Sequence, residues 1–558
     1  MLGWLLPALG VFAQTRETDS LQQRFVQYQL NAWQEKVFVH TNKTVYLVGE
    51  IAWFKVYNVD AYRHRPSTIS GICYVELINK EQHSVLQAKL PMTAGCGYGS
   101  LMIPSSMPTG HYLLRAYTGW MKNFDPAFYF EQPLTIINTL KEPPPPPKPV
   151  PAAYSVRFFP EGGNLVEGLP SKIAFKVTNR RGEGVAAKGV LISQRRDTLA
   201  QFETLHAGMG SFLLEPRKGD EYNAVITVDD TVLVQRLPAV YTQGYTMTLA
   251  EAGSGRIAIS VFTNTLEAGL VYLLVHTRQL LKTIQSNPVA AGKATFIIDK
   301  NSLGDGISHF TVFNSARQPV CERLYFKRPE EQLHIQASID QPEYNTRKKA
   351  TVSLQTEVKP GNPVDAGLSM AVFLLDSLQA PQYTDIASYL LLVSDLKGTI
   401  EDPGYYFENA GPDRAAAADL LMLTQGWRRF RWEDLLQGKH PYFEFAPEKE
   451  GAVINARITD RRTGLPVSNT MGWLSVPGLD FVLATATSGV NGELRFNVSN
   501  FYGHNEIIAQ TNGRTDSLYR VDIGNGYSDK FSSTLLPDLS LLRQWKSLLE
   551  YRGINVQV

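Results

Sequence analysis

From Lys36 almost to its end the chain repeats one pattern: short runs of alternating β-branched and aromatic residues, cut by Gly, Pro, Asn and Asp at intervals typical of β-sandwiches. Residues 37–39, 51–59, 73–78, 85–90, 99–103 and 111–117 form the first such series. A period of two suits strands with one face buried, and runs this short close into sandwiches of roughly 80 to 110 residues. With 558 residues the chain has room for about three to six such units. Hydrophobic residues at 44% and charged residues at 19% give each unit enough apolar surface for its own core. The fold class expected is mainly β: tandem immunoglobulin-like β-sandwich domains, with a short N-terminal helix and a helical insertion in the fourth domain.

The sharpest boundary is proline. Residues 142–151 hold five consecutive prolines and then Lys148, Pro149, Val150 and Pro151, a composition that forbids sheet pairing and favours a stiff extended strut. The domains expected around it are a first sandwich at 36–140, the proline-rich linker at 141–153, and a second sandwich at 154–242. A third follows at 243–330, a fourth with a helical insert at 331–447, and a fifth at 448–526. Within the fourth, the continuous apolar run 366–375 reads as a central strand buried on both faces. Stretches 386–396 and 413–423 read as helices, with Pro412 as a start signal and Gly426 as a stop.

Residues 1–13 read as a secretory signal cut after Ala13, although the stretch carries no Lys or Arg. Residues 14–35 read as an amphipathic helix packed on the first sandwich. Residues 527–558 read as a C-terminal helix and tail, with mobility expected after Gly526. Its apolar stripe needs a surface to cover, supplied by the last sandwich or by a partner. No later run approaches the length of about 20 apolar residues needed to span a bilayer. Lys plus Arg (54) nearly cancels Asp plus Glu (53), so no general field draws the molecule to nucleic acid or anionic lipid.

Segment 426–432, Gly-Trp-Arg-Arg-Phe-Arg-Trp, is the most basic and aromatic in the sequence. Trp427, Arg428, Arg429, Arg431 and Trp432 are therefore the candidate partner contacts, able to hold an anionic group or a protein surface by cation–π contact. Set against this is a structural reading in which the rings dock a helix end and the guanidinium groups complement its dipole.

Residues 37–50, Val-Phe-Val-His-Thr-Asn-Lys-Thr-Val-Tyr-Leu-Val-Gly-Glu, followed by Trp53-Phe54, resemble the second macroglobulin domain of the alpha-2-macroglobulin superfamily. Asn42 stands where that family usually has Asp, and Val48 where it usually has Pro. The fifth block resembles the carboxypeptidase regulatory-like domain through Ile458-Thr459-Asp460, Thr463 to Val467 and residues 487–496. The whole order is similar to Gram-negative envelope proteins, whose longer members continue into a region like the plug of TonB-dependent receptors. The resemblance implies an exported protein of the periplasm or outer membrane.

That superfamily's thioester uses Cys-Gly-Glu-Gln. Here Cys96-Gly97 is followed by Tyr98 and Gly99, which supply no acyl donor. Ten scattered His residues show no metal spacing, and no nucleophile elbow, phosphate loop or calcium loop is present. No cofactor and no catalytic residue is expected. Cys73 and Cys96 are either a disulfide pair or small thiols in the apolar interior. The function expected is non-catalytic binding and scaffolding, with envelope proteins as partners, including a TonB-dependent transporter. Two rivals are a macroglobulin-like endopeptidase inhibitor without thioester and a glycan-binding surface protein using Trp53, Trp120 or Trp473.

Overall fold

The computed structural model describes residues 20–141, 153–253, 255–266, 269–376, 384–408, 411–426, 429–439, 441–478, 481–499, 501, 506–511, 516–534 and 536. The signal reading at 1–13, the proline run at 142–151 and the tail 537–558 lie outside the described residues.

The first sandwich pairs Glu35–Thr41, Ile51–Asp60 and Cys96–Met102 in one antiparallel sheet. Its second sheet orders Val45–Leu47, Phe130–Ile137, Gly110–Thr118, Ile72–Ile78 and Ser84–Pro91. The turn that starts this sandwich is built by the residues of the macroglobulin-like motif. Asn42 Oδ1 accepts from the Tyr46 hydroxyl at 2.8 Å and from the Trp53 amide at 3.0 Å. Glu50 accepts from the Leu47 amide at 2.9 Å and pairs with Lys43 at 2.6 Å, and Gly49 takes the positive φ of 86° that the turn requires. An amide oxygen thus does the accepting at position 42 without a charge.

Two further sandwiches follow. One sets Met209–Leu214, Ser171–Thr178 and Ser155–Pro160 against a four-stranded sheet over a core that includes Phe175, Phe202 and Phe212. The other sets Tyr245–Glu251, Arg256–Thr263 and Lys293–Asp299 against Leu280–Pro288, Leu270–Thr277, Gly306–Phe313 and Pro319–Lys327. The last sandwich centres on Ala452–Asp460 and Met471–Val476, and its buried Ile454, Leu474 and Phe496 join the core of the first.

Between Leu333 and Asp376 the pattern changes. His334–Ile339, Val352–Lys359 and Asn362–Pro363 form a three-stranded antiparallel sheet in which every residue of the first strand is exposed. The run 366–375 is not a strand: Met370 is 59% and Val372 77% exposed. Its continuous apolar character anticipated burial on two faces, but its start is held by polar contacts to the first sandwich, with Lys55 donating to the Leu368 carbonyl at 2.9 Å and Tyr57 to the Gly367 carbonyl at 3.1 Å.

The helices Ile386–Leu391 and Pro412–Thr424 leave that sheet and wedge between sandwiches. Leu392, Leu396, Leu420 and Leu421 pack with Ala174 and Met209 of the second sandwich and Ile307 and Leu324 of the third. The helix expected over 386–396 breaks at Leu392, whose φ of −133° ends the α-helix before a short 3-10 turn at Val393–Asp395. Helix 20–31 divides its packing: Leu21 and Phe25 cluster with Tyr272, Leu274 and Phe313 of the third sandwich, while Tyr62 of the first donates to the Ala32 carbonyl just past the helix end at 2.5 Å. Its Phe25 ring lies 5.7 Å from Trp432 and 5.8 Å from Phe430.

Candidate functional site

Arg429 and Trp432, two of the five sequence candidates, are structural. Trp432 is fully buried, with rings of Phe313 and Phe430 edge-on at 4.9 Å and its Nε1 donating to Glu322 Oε2 at 3.3 Å. Arg429 lies over the Phe128 ring at 4.3 Å, donates to the Ser394 carbonyl at 2.7 Å and pairs with Asp395 Oδ1 at 3.1 Å. Arg431 alone of the described three is open to solvent, where it lies 3.8 Å from Glu433. It borders a cleft of about 720 Å³ together with Phe159, Arg323, Met422 and Phe430. Trp427 and Arg428 lie outside the described residues.

Arg429 belongs to a buried ionic joint that no local motif announces. Lys36 Nζ donates to Asp395 Oδ2 at 2.7 Å and to the Leu390 carbonyl at 3.0 Å, and lies 3.2 Å from His64 Nε2. Gln34 Oε1 accepts from Arg429 at 3.3 Å and from Gln279 at 3.4 Å, and Arg278 donates to the Tyr62 carbonyl at 3.0 Å. Lys36 and His64 come from the first sandwich, Arg278 and Gln279 from the third, and Asp395 and Arg429 from the helical segment.

Burial sets the electrostatics of this joint. It brings the Lys36 ammonium down from 10.5 to about 7, with Asp395 pulling the other way and Arg429 adding to the fall. Burial also opposes charge on Asp395, but Lys36 and then Arg429 outweigh it and hold the carboxyl well below the usual range. Burial first, then the Lys36 and Arg278 charges, depress His64 far below its ordinary value, so its imidazole is neutral. The adjoining cavity holds about 20 Å³, room for a single water and for no substrate.

Two more buried charge clusters bridge elements. Arg323, 3% exposed, pairs with Glu161 at 2.9 Å and with Asp419 of the Pro412–Thr424 helix, which Lys172 also reaches at 2.7 Å. This places the Glu161-Gly162-Gly163 turn at the meeting of the second and third sandwiches. Arg115 pairs with Glu76 at 2.5 Å and donates to the Ser528 carbonyl at 2.9 Å and the Lys530 carbonyl at 2.6 Å, with Phe531 over its guanidinium at 4.7 Å. Residues 528–531 are therefore strapped to the first sandwich, where mobility was expected after Gly526. The strap supplies the acceptors that a buried guanidinium needs.

The remaining sequence candidates are also accounted for. Cys73 and Cys321 are buried free thiols, and burial pushes the Cys321 thiol up to about 12. Gly95, Gly97 and Gly99 around free Cys96 are needed for space: a Cβ at Gly95 would meet the Asn58 carbonyl oxygen at 2.6 Å, and one at Gly99 the Leu90 side chain at 2.5 Å. That explains the glycine-rich turn as close sheet packing. Trp120 donates to the Trp33 carbonyl at 2.8 Å and packs on Phe443, and Trp53 is 56% exposed. Trp473 is half-buried on its strand.

No protein-family model matches the chain, and no curated protein matches it. Among solved structures it is similar to Escherichia coli alpha-2-macroglobulin activated by porcine elastase, at 11% identity, a TM-score of 0.21, and coverage of 88% of this chain and 43% of that one. Salmonella alpha-2-macroglobulin reacted with methylamine is similar at 9% identity and a TM-score of 0.17, covering 88% and 39%. A tetra-tandem repeat from the extending region of a large adhesion protein gives 10% identity and a TM-score of 0.16, covering 89% and 100%. The chain spans less than half the length of these alpha-2-macroglobulins. Likeness at this level carries no argument about activity. The sheets themselves establish a mainly β chain of tandem β-sandwiches with few helices.

Proposed function

We propose that this chain is a non-catalytic binding and scaffolding arm of a bacterial envelope, exported and working beside a TonB-dependent outer-membrane transporter. The observation that carries the reading is the use of its buried charge. Lys36, Asp395, Arg429, Arg323 and Asp419 are spent on ion pairs across the joints between sandwiches. Such joints hold domains at fixed spacing. The macroglobulin-like turn at Asn42 to Glu50 supports the envelope setting by resemblance. No helix among the described residues is long and apolar enough to cross a membrane.

Arg431, exposed at the rim of the cleft, is the contact available to a partner. Crosslinking in intact native cells, followed by fractionation, tests the proposal. The wild-type chain should be recovered from the envelope bound to a TonB-dependent transporter, with Arg431→Glu reducing that yield several-fold. Recovery from the cytosol, or entrapment of an endopeptidase that keeps small-substrate activity while losing activity on large ones, would overturn it.

A further inference from the structure

Thr231–Arg236 is the outer strand of the four-stranded sheet of the second sandwich, which runs Thr198–Glu203, Lys188–Ser193, Tyr222–Val228, Thr231–Arg236. It pairs antiparallel with Tyr222–Val228, from Arg236 opposite Asn223 to Thr231 opposite Val228, around the turn Asp229-Asp230. Just beyond that register the Leu237 amide donates to the Tyr222 carbonyl at 3.0 Å. Hydrogen-bonded pairs alternate along an antiparallel ladder, so Leu233 and Gln235 also turn their backbone groups inward. Val232, Val234 and Arg236 turn theirs outward, and no other strand takes them among the described residues.

The side chains of this edge favour pairing. Val232 is 63% and Val234 67% exposed. Leu191, Ala224 and Ile226 fill the core of the sandwich, while the register sets Val234 beside Val225 and Val225 beside Val190 on the opposite face. That apolar row stops at the open edge. The strand holds no proline, glycine or bulge. Other outer strands are closed: Ser84–Pro91 carries Lys89 and ends in proline, and Pro319–Lys327 is bridged at Glu322 to Gly162. The two ends of the edge differ in charge. Asp229, whose carboxylate accepts from the Tyr154 hydroxyl at 2.8 Å, and Asp230 make one end acidic. Arg236, exposed and paired with Glu221, makes the other basic.

Such an edge is complementary to itself. Under a two-fold axis at Val234, the Val234 residues of two copies exchange both backbone hydrogen bonds, and Val232 of each copy does the same with Arg236 of the other. The apolar row then continues from one molecule into the next. Asp230 of the second copy lies two residues, about 7 Å of strand, beyond the Val232 that faces Arg236, which is within an arginine's reach. An axis at Arg236 would set guanidinium against guanidinium, and one at Val232 would place the turn in half of the ladder. We infer that the chain forms a two-fold dimer by pairing Thr231–Arg236 with the same strand of a second copy, which joins the two sheets into one.

Sedimentation equilibrium on the full chain tests this. The wild type should dimerise with a Kd in roughly the micromolar range. Val234→Lys, an exposed substitution that opposes two ammonium groups across the axis, should weaken the dimer about tenfold or more with an unchanged circular dichroism spectrum. Arg236→Asp should weaken it as well, and adding Asp230→Arg should restore it. Val234→Cys with Cys96→Ser should oxidise to a covalent dimer, because the axis sets the two Cα atoms about 5.5 Å apart. A wild type that stays monomeric, or a dimer that Val234→Lys leaves intact, would overturn the inference.

Discussion

Lys36 is the residue on which the account bears most directly, because its ammonium is buried between three parts of the chain. Its pKa in the folded protein, about 7, lies below the unfolded value of 10.5, so between these limits the unfolded chain binds more protons. Stability contributed through this group therefore rises as pH increases from 7 toward 10. The thermal midpoint of the wild type, taken as a difference from Lys36→Met, should increase between pH 7 and pH 9. Equal pH slopes in the two proteins would show that Lys36 does not titrate in a buried site. Asp395 contributes in the opposite range: its depressed pKa gives stability that is present above the ordinary carboxylate value and is lost only in strong acid.

At the scale of elements, the C-terminal strap shows how a short segment without regular structure is fixed. Arg115 is buried with Glu76, and the Ser528 and Lys530 carbonyls take its remaining donors while Tyr117 accepts from the Ser528 amide at 2.7 Å. Replacing Arg115 by Ala leaves Glu76 buried without its cation, a loss of about 3–5 kcal/mol. Chemical denaturation should read that loss, with faster hydrogen exchange over 526–534; an unchanged midpoint would contradict the strap. The strands of the sandwiches were legible because a period of two and Gly-bearing turns are local signals, as at Asn42 to Glu50. The strap, the break at Leu392 and the docking of helix 20–31 on the third sandwich were not, since each depends on residues hundreds of positions away. The run 366–375 misled for the same reason: its apolarity signals burial, yet Met370 and Val372 stay exposed and Gly367 to Ser369 are held by polar contacts to His40, Lys55 and Tyr57. In segment 426–432 composition marked a real feature, yet the same rings and guanidinium groups serve a joint as well as a surface, and only the partners of Arg429 and Trp432 distinguish the two.

At the scale of the molecule, the central claim is that buried ion pairs lock the sandwiches into one arm. The joint of Lys36, Asp395 and Arg429 connects the first sandwich, the third and the helical wedge, while Arg323, Glu161 and Asp419 connect the second and third to the same wedge. Breaking such a pair on one side leaves charge stranded in the interior, which makes the joint cooperative. Spin labels at Tyr98→Cys on the first sandwich and Ile297→Cys on the third, both exposed positions, with Cys96→Ser, report the spacing directly. The account predicts one narrow distance distribution in this double-labelled chain and a broad one when Asp395→Ala is added. A broad distribution with the joint intact would contradict it.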